Sequence, residues 1–315
     1  MSSRNALVTG AAGFVGRHLS RQLSLGGWKV TGIGHGAWLR DDLRRWGLYE
    51  WHQCDINLET LLTYAGEPEL IFHCAGSGSV TFSVRNPYQD YRRTVETLVS
   101  TLEYARMHAP HARIVYPSSA AVYGVARVIP MAEGHPLNPV SPYGVHKKIA
   151  EDLCFSYARH HGVRIAVIRF FSLYGTELRK QLLWDACTKV TAAENQFFGT
   201  GEEVRDWLQI DDAVSLLMTA AEAASTDCPV LNGGTGVGVG VRELLSVIFE
   251  RLGSHDEPTF ANTARSGDPT RYVADVTRAR SLGWRPVVDW EEGVRKYVDW
   301  YRDEARKGSD QVPRS

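Results

Sequence analysis

No run of 18 apolar residues occurs anywhere in this 315-residue chain, so no segment is built to span a bilayer as a helix. Cysteine is sparse: Cys54, Cys74, Cys154, Cys187 and Cys228 make an odd set without a CxxC pair. Such a set fits reduced thiols in a cytosol better than a disulfide framework. Charge of one sign is missing as well, since 35 Lys and Arg stand against 36 Asp and Glu. Without a basic stripe or a polybasic cluster, neither nucleic acid nor a lipid surface is an expected partner. The opening MSSRNALVTG has one Arg and no apolar stretch of signal-peptide length, so a cytoplasmic protein is expected. His73, His146 and His161 lack ligand spacing such as HExxH, and no metal is expected.

What the chain does have is alternation. At 43% hydrophobic it can bury a substantial core. ALVTG (6–10) reads as a buried strand, and FVGRHLSRQLSLGG (14–27) as a helix with a Gly-Gly stop. Further strands are expected at WKVTGIG (28–34), YEWHQCDI (49–56), ELIFHCAG (69–76), ARIVYPSS (112–119) and VRIAVIRF (163–170), with a long helix near 87–109 and another from Ser141. Strand–helix alternation of this kind predicts an α/β fold, a doubly wound parallel (Rossmann) sheet covered on both faces. After 170 the pattern turns irregular, which predicts a smaller, mixed α/β C-terminal substrate lobe. The expected division is a dinucleotide-binding domain over 1–170, with 208–226 returning to it, a substrate lobe from 171–207 and 227–305, and a tail over 306–315. Ligands are expected over the carboxyl ends of the strands.

TGAAGFVG (9–16) sets Gly10, Gly13 and Gly16 between the first strand and the first helix. The first glycine permits the turn, the second admits a pyrophosphate to the backbone, and the third lets helix and strand pack closely. Phe14, Val15 and Gly16 open the helix, whose N-terminus faces the anion. A tight turn without a ligand is the competing role, but strand before and helix after is the context a dinucleotide site needs. An NAD site usually carries Asp or Glu at the end of the second strand. Here GIGHGAW places His35 there. The missing acid removes repulsion against a 2′-phosphate, and His35, Arg40 or Arg44 could pair with one. NADP is therefore favoured over NAD, although the arginines of WLRDDLRRW could equally solvate a helix.

SPYGVHK (141–147) holds Tyr143 four residues before Lys147, a spacing that puts both on one helix face. With TGxxGFxG, SSAAVYG (118–124) and YGVHK in this order, the chain resembles the extended short-chain dehydrogenase/reductase family over about residues 5–300. Within it, the nucleotide-sugar epimerases, dehydratases and 4-ketoreductases are the most similar group. The resemblance implies a nicotinamide cofactor and an acid–base Tyr143, with Lys147 beside it and also on the nicotinamide ribose. It implies Ser119 as the hydroxyl that holds the substrate oxygen, with Ser118 ranked second. A phenol is a poor base at neutral pH, and a nearby ammonium and the positive nicotinamide are expected to move it toward the working range. Asp55, followed by Ile56, resembles the residue on the adenine amino group, and HCAG brings Cys74 and Ala75 beside the cofactor. A homodimer through the two long helices is also implied.

Ala120 and Ala121 stand where 4,6-dehydratases carry an acid and base, so 4,6-dehydration is not expected; Ala121 counts against sugar-acid decarboxylation too. Two reactions remain, 4-ketoreduction with NAD(P)H and 4-epimerisation with bound NAD. The missing acid favours the reductase. So do Thr94 and Ser172, each where family members often have Asn, and LRKQLLWDAC (178–187), which looks like a ketoreductase subgroup. A cofactor-binding sensor without turnover is a third class, but Ser119, Tyr143 and Lys147 are all present. The expected substrate is a UDP- or dTDP-linked sugar. Arg205 in GTGEEVRDW and Arg265 in RSGDPTRYVAD are candidates for its diphosphate, against ion pairs with Glu202, Glu203 or Asp268. Ser79 and Thr81 in SGSVTFSVR, together with Ser172, are candidates for the sugar. Phe198 could stack on the base, with core packing the competing role for the Phe197–Phe198 pair.

Overall fold

The computed structural model describes residues 4–125, 128–262 and 270–310. Its centre is one parallel sheet of seven strands. Six follow in chain order: β1 (Asn5–Thr9), β2 (Lys29–Gly34), β3 (Glu50–Gln53), β4 (Leu70–His73), β5 (Arg113–Ser119) and β6 (Arg164–Phe170). The seventh, Val230–Gly233, pairs with β6, giving the spatial order Val230–Gly233, β6, β5, β4, β1, β2, β3. This last strand lies in the stretch that the sequence reading gave wholly to the substrate lobe. The chain thus returns to the sheet after 227 before leaving it again.

The inner strands are apolar along nearly every residue because helices cover both faces. One face packs on α1 (Phe14–Leu25), which contributes Leu19 and Leu23, and on the helix Ile210–Ala223. The other packs on the helices Leu58–Tyr64, Thr97–His108 and Pro142–His161. A separate cluster around Tyr174, Trp207, Phe249 and Tyr297 forms the core of the C-terminal part, from the helices Gln181–Thr191, Val241–Leu252 and Trp290–Asp310. No helix among the described residues is long and apolar enough to cross a membrane.

The expected long helix over 87–109 is present, with a π-turn inside it. It runs Pro87–Tyr91, then a π-turn Arg92–Glu96, then Thr97–His108. A wide turn of this kind re-aims side chains without ending the helix. Here it buries Thr94, whose hydroxyl accepts from the Ser77 amide at 3.4 Å.

Candidate active site

Strand order reverses between β4–β1 and β1–β2, and the crevice of a doubly wound sheet opens at that point. Gly10 leaves β1 there with φ +69, and its amide donates to the Ile33 carbonyl of β2 at 2.7 Å. A Cβ on Gly10 would lie 2.7 Å from the Ala75 amide nitrogen, and one on Gly16 would lie 2.3 Å from the Gly10 carbonyl oxygen. Gly13 caps α1 with no side chain over the helix N-terminus. The loop is therefore a backbone cradle that any side chain would fill, which fits a pyrophosphate on the helix end. Phe14 and Val15 lead α1 down onto the core. Behind the loop, Thr9 and Thr101 both hydrogen-bond Nδ1 of the buried His73 at 3.0 Å, and the Ala75 amide donates to Thr9 at 3.4 Å. Burial drives His73 down to about 3, with the charge of Lys147 adding to it, so the ring stays neutral. Burial likewise pushes the Cys74 thiol up to about 12, too high for a nucleophile.

His35 faces Asp55 at the end of β3, Nε2 to Oδ1 at 3.0 Å, and both side chains are exposed. A carboxylate thus stands beside the end of β2 although that strand carries none, with Ile56 buried behind it. Arg40 and Arg44 are exposed on the helix Arg40–Arg45, where Arg44 lies 3.8 Å from Asp41. The solvating role considered for Arg44 is the one that this geometry matches.

The long helix begins where its sequence dictates. Ser141 accepts from the Gly144 amide at 3.2 Å, Pro142 takes the first turn, and Gly162 ends the helix with φ 67. Ser83 accepts from the Tyr143 amide at 3.0 Å and fixes the first turn against the helix Val80–Arg85. Tyr143 is half-buried and Lys147 buried. The Lys147 ammonium donates to the Pro117 carbonyl at 2.8 Å, and burial lowers it to about 8 despite the opposing charge of Glu151. Burial pushes the Tyr143 phenol above its ordinary value; the neighbouring Ser119 hydroxyl opposes this, and Asp90 adds to it. The phenol is thus raised by the protein alone. Burial thus works against the lowering expected from Lys147 and a positive nicotinamide together, the second of which belongs to the bound cofactor.

Ser118 and Ser119 point to opposite faces of β5, as neighbours on a strand must. Ser119 turns toward Tyr143 and accepts from the Ala121 amide at 3.2 Å. Ser118 turns inward, 4% exposed, and donates to Glu151 at 2.5 Å. That takes Ser118 out of the substrate candidates. Glu151 also receives a bidentate bond from Arg169, at 2.7 and 3.1 Å, and Arg169 donates on to Tyr123 at 3.1 Å. This buried chain escaped the sequence reading. Its one signal was spacing, since Glu151 lies four residues beyond Lys147 on the same helix face.

The remaining candidates lie on separate elements. Ser79 caps the helix Val80–Arg85 by accepting from the Phe82 amide at 3.1 Å, while Thr81 is exposed. Ser172 begins the short strand Ser172–Tyr174, its amide donating to the Asp206 carbonyl at 3.0 Å. Phe197 is core, the competing role considered for the pair, and Phe198 is 51% exposed. Arg205 is half-buried and donates to the Val204 carbonyl at 3.0 Å. Glu203 accepts from the Thr200 and Gly201 amides, and Glu202 lies 3.8 Å from Arg242. Arg265 and Asp268 lie outside the described residues. Among the described residues no group of three or more His, Cys, Asp or Glu could hold a metal ion.

The model of the NAD dependent epimerase/dehydratase family matches residues 6–232. The UDP-glucose 4-epimerase of Mycolicibacterium smegmatis is 32% identical, over 95% of this chain and 99% of that protein. The solved UDP-glucose 4-epimerase of Thermotoga maritima with UDP-glucose is 29% identical, with a TM-score of 0.86 over 96% of this chain and 99% of that one. A dTDP-glucose 4,6-dehydratase from Streptomyces venezuelae, a double mutant with NAD bound, is 26% identical, with a TM-score of 0.87 over 96% of this chain and 98% of that one.

Proposed function

Since the chain belongs to the NAD dependent epimerase/dehydratase family, we propose that it is an NAD-dependent 4-epimerase of a UDP-linked sugar. The observation that carries this reading is likeness over nearly the whole chain to a UDP-glucose 4-epimerase at 32% identity, supported by Ser119 turned toward Tyr143 and by Lys147 one helix turn further on. It reverses the preference for 4-ketoreduction with NADP that the sequence motifs favoured. Relatives of 26–29% identity have been solved with NAD. The exposed carboxylate of Asp55 beside His35 disfavours a 2′-phosphate at that end of the crevice, which supports NAD here as well.

The glycine loop and the N-terminus of α1 would hold the pyrophosphate, Asp55 and Ile56 the adenine, and Lys147 the nicotinamide ribose. Bound NAD would supply the hydride acceptor and, on return, the donor. Tyr143 takes the proton from the sugar C4 hydroxyl and gives it back after the sugar has turned over, while Ser119 holds the same oxygen. Ala120 and Ala121 offer only methyl groups where elimination of water would need proton transfer, so likeness to a dehydratase does not carry over as activity. Arg205 and Phe198 are the substrate-lobe candidates for diphosphate and base. A homodimer belongs to the same reading, with Tyr91, Met107, Val145 and Ile149 exposed on the two long helices.

Denaturing the purified protein should release about one NAD per chain, and the native protein should interconvert UDP-glucose and UDP-galactose without added cofactor. If no NAD is released and a UDP- or dTDP-linked 4-keto-6-deoxy sugar oxidises NADPH instead, the enzyme is a ketoreductase.

A further inference from the structure

Arg17 lies in the first turn of α1 and has no part in the chemistry above. All three nitrogens of its guanidinium are engaged. Nη2 donates to the Ala12 carbonyl at 2.6 Å and Nε to the Gly13 carbonyl at 3.3 Å, both in the glycine loop. Nη1 donates to Glu177 at 3.4 Å, 160 positions away beyond the short strand Ser172–Tyr174. A planar fork of fixed geometry is what lets one side chain span the two.

Those carbonyls decide where the amides of the loop point, because a trans peptide holds its C=O and its N–H on opposite sides. The unit joining Ala12 to Gly13 is pinned at both ends. Arg17 holds its oxygen, and its N–H donates to the Gly10 carbonyl at 2.8 Å. In the next unit the Gly13 carbonyl accepts from the Arg17 amide at 3.0 Å as well as from Nε. Its N–H, that of Phe14, is the first of α1 and is turned the other way, out of the helix end.

Glu177 decides where the fork stands. Its side chain is 7% exposed, and its φ of 70 is one that a residue with a Cβ takes rarely. Arg45 donates to its other oxygen, while Arg179 lies 3.9 Å away and pairs with Glu304 of the helix Trp290–Asp310. Beside it the His18 ring meets the Thr176 carbonyl at 3.1 Å, so consecutive residues of α1 hold consecutive residues of the segment 175–179. Tyr297 donates to the Leu178 carbonyl at 2.7 Å from the far side. The segment thus ties α1 to the core of the C-terminal part.

We propose that Arg17 is a positioning residue for the dinucleotide loop and that Glu177 positions Arg17. The loop keeps its carbonyls turned away from a pyrophosphate while the segment 175–179 is docked on α1, so retention of the dinucleotide depends on a carboxylate outside the loop. Charge alone predicts the opposite: an acid near a bound anion repels it, and deleting the acid would tighten binding. The proposal rests on the glycine loop holding NAD and is independent of whether the reaction is epimerisation or reduction.

The test is the rate at which the native holoenzyme, loaded with NAD, loses it. Released NAD is trapped by a coupled alcohol dehydrogenase with ethanol and read as NADH absorbance. Glu177→Gln is expected to speed release about tenfold, and Arg17→Met at least as much. Arg17→Lys, which keeps the charge without the fork, should stay near Arg17→Met. The double variant Arg17→Met with Glu177→Gln should release no faster than Arg17→Met alone, whereas a merely structural loss at Glu177, which also holds Arg45, would add to it. Unchanged or slower release from Glu177→Gln, a wild-type rate in Arg17→Lys, or additive effects in the double variant overturns the proposal. Should Arg17→Met fail to fold, the direction of change in Glu177→Gln decides alone. A wild type that takes up no NAD would end the dinucleotide reading and this proposal with it; an unmoved release rate in a protein that holds NAD ends the proposal alone.

Discussion

The Lys147 ammonium donates to the Pro117 carbonyl at 2.8 Å, which ties the helix bearing Tyr143 to the strand bearing Ser119. One buried bond thus sets the distance between the two groups proposed to share the substrate oxygen. Burial makes Lys147 expensive to the fold and useful to the site at once.

Lys147→Met is expected to stabilise the protein while removing activity. The folded-state value of about 8 lies below the ordinary 10.5, so the charged amine is disfavoured in the native state. Between about 8 and 10.5 the unfolded chain binds more protons, and stability therefore rises with pH across that window. The gain from Met, on the order of 2 kcal/mol, should be largest below pH 8 and fade above 10.5. Urea titrations at neutral and alkaline pH measure it, and a loss of stability at neutral pH would refute it.

Tyr143→Phe keeps the ring and deletes the proton. Turnover is expected to fall by about 10²–10⁴-fold, while bound cofactor released on denaturation stays near the wild-type amount. Undiminished turnover would remove Tyr143 from the mechanism.

His73 makes stability sensitive to acid. Its folded-state value of about 3 lies below the ordinary 6.5, so the unfolded chain takes up more protons between those limits. Its contribution is complete above pH 6.5 and is lost progressively as pH falls toward 3. By pH 5 the loss should reach about 2 kcal/mol. His73→Asn, which cannot titrate, is expected to flatten this slope even if it melts lower at neutral pH.

Arg169→Met leaves Glu151 buried without its cation and is expected to cost about 3–5 kcal/mol. A double variant, Arg169→Met with Glu151→Leu, should recover a large part, since no charge then remains unpaired. Additive losses in thermal melts would show that the pair does not act as a unit.

Much of the site was legible because its signals are local. The glycine loop and α1 read directly, since a turn with φ +69 at Gly10 and a contact of 2.3 Å at Gly16 admit no other residue type. Tyr143 and Lys147 were legible from helical spacing after a Ser-Pro start. Ser119 was ranked ahead of Ser118 by the family resemblance alone, because a strand alternates faces but does not reveal which face meets Glu151. The π-turn within the long helix at Arg92–Glu96 left no mark in the apolar pattern. Nothing in the chain signals that Val230–Gly233 rejoins the sheet, because the partner strand lies about 60 residues away.

The amino-acid sequence alone determined the alternation of strand and helix, the anion-binding turn and the spacing of the Tyr–Lys pair, since each depends on neighbours within a few residues. Only the tertiary structure decided the protonation balance. Burial sends Tyr143 up and Lys147 down, Asp55 comes to face His35 at the end of β2, and Asp90 comes to rest beside His146, 56 positions away. These outcomes depend on desolvation and on charges brought together by packing, and neither exists until the sheet and its helices have closed around them.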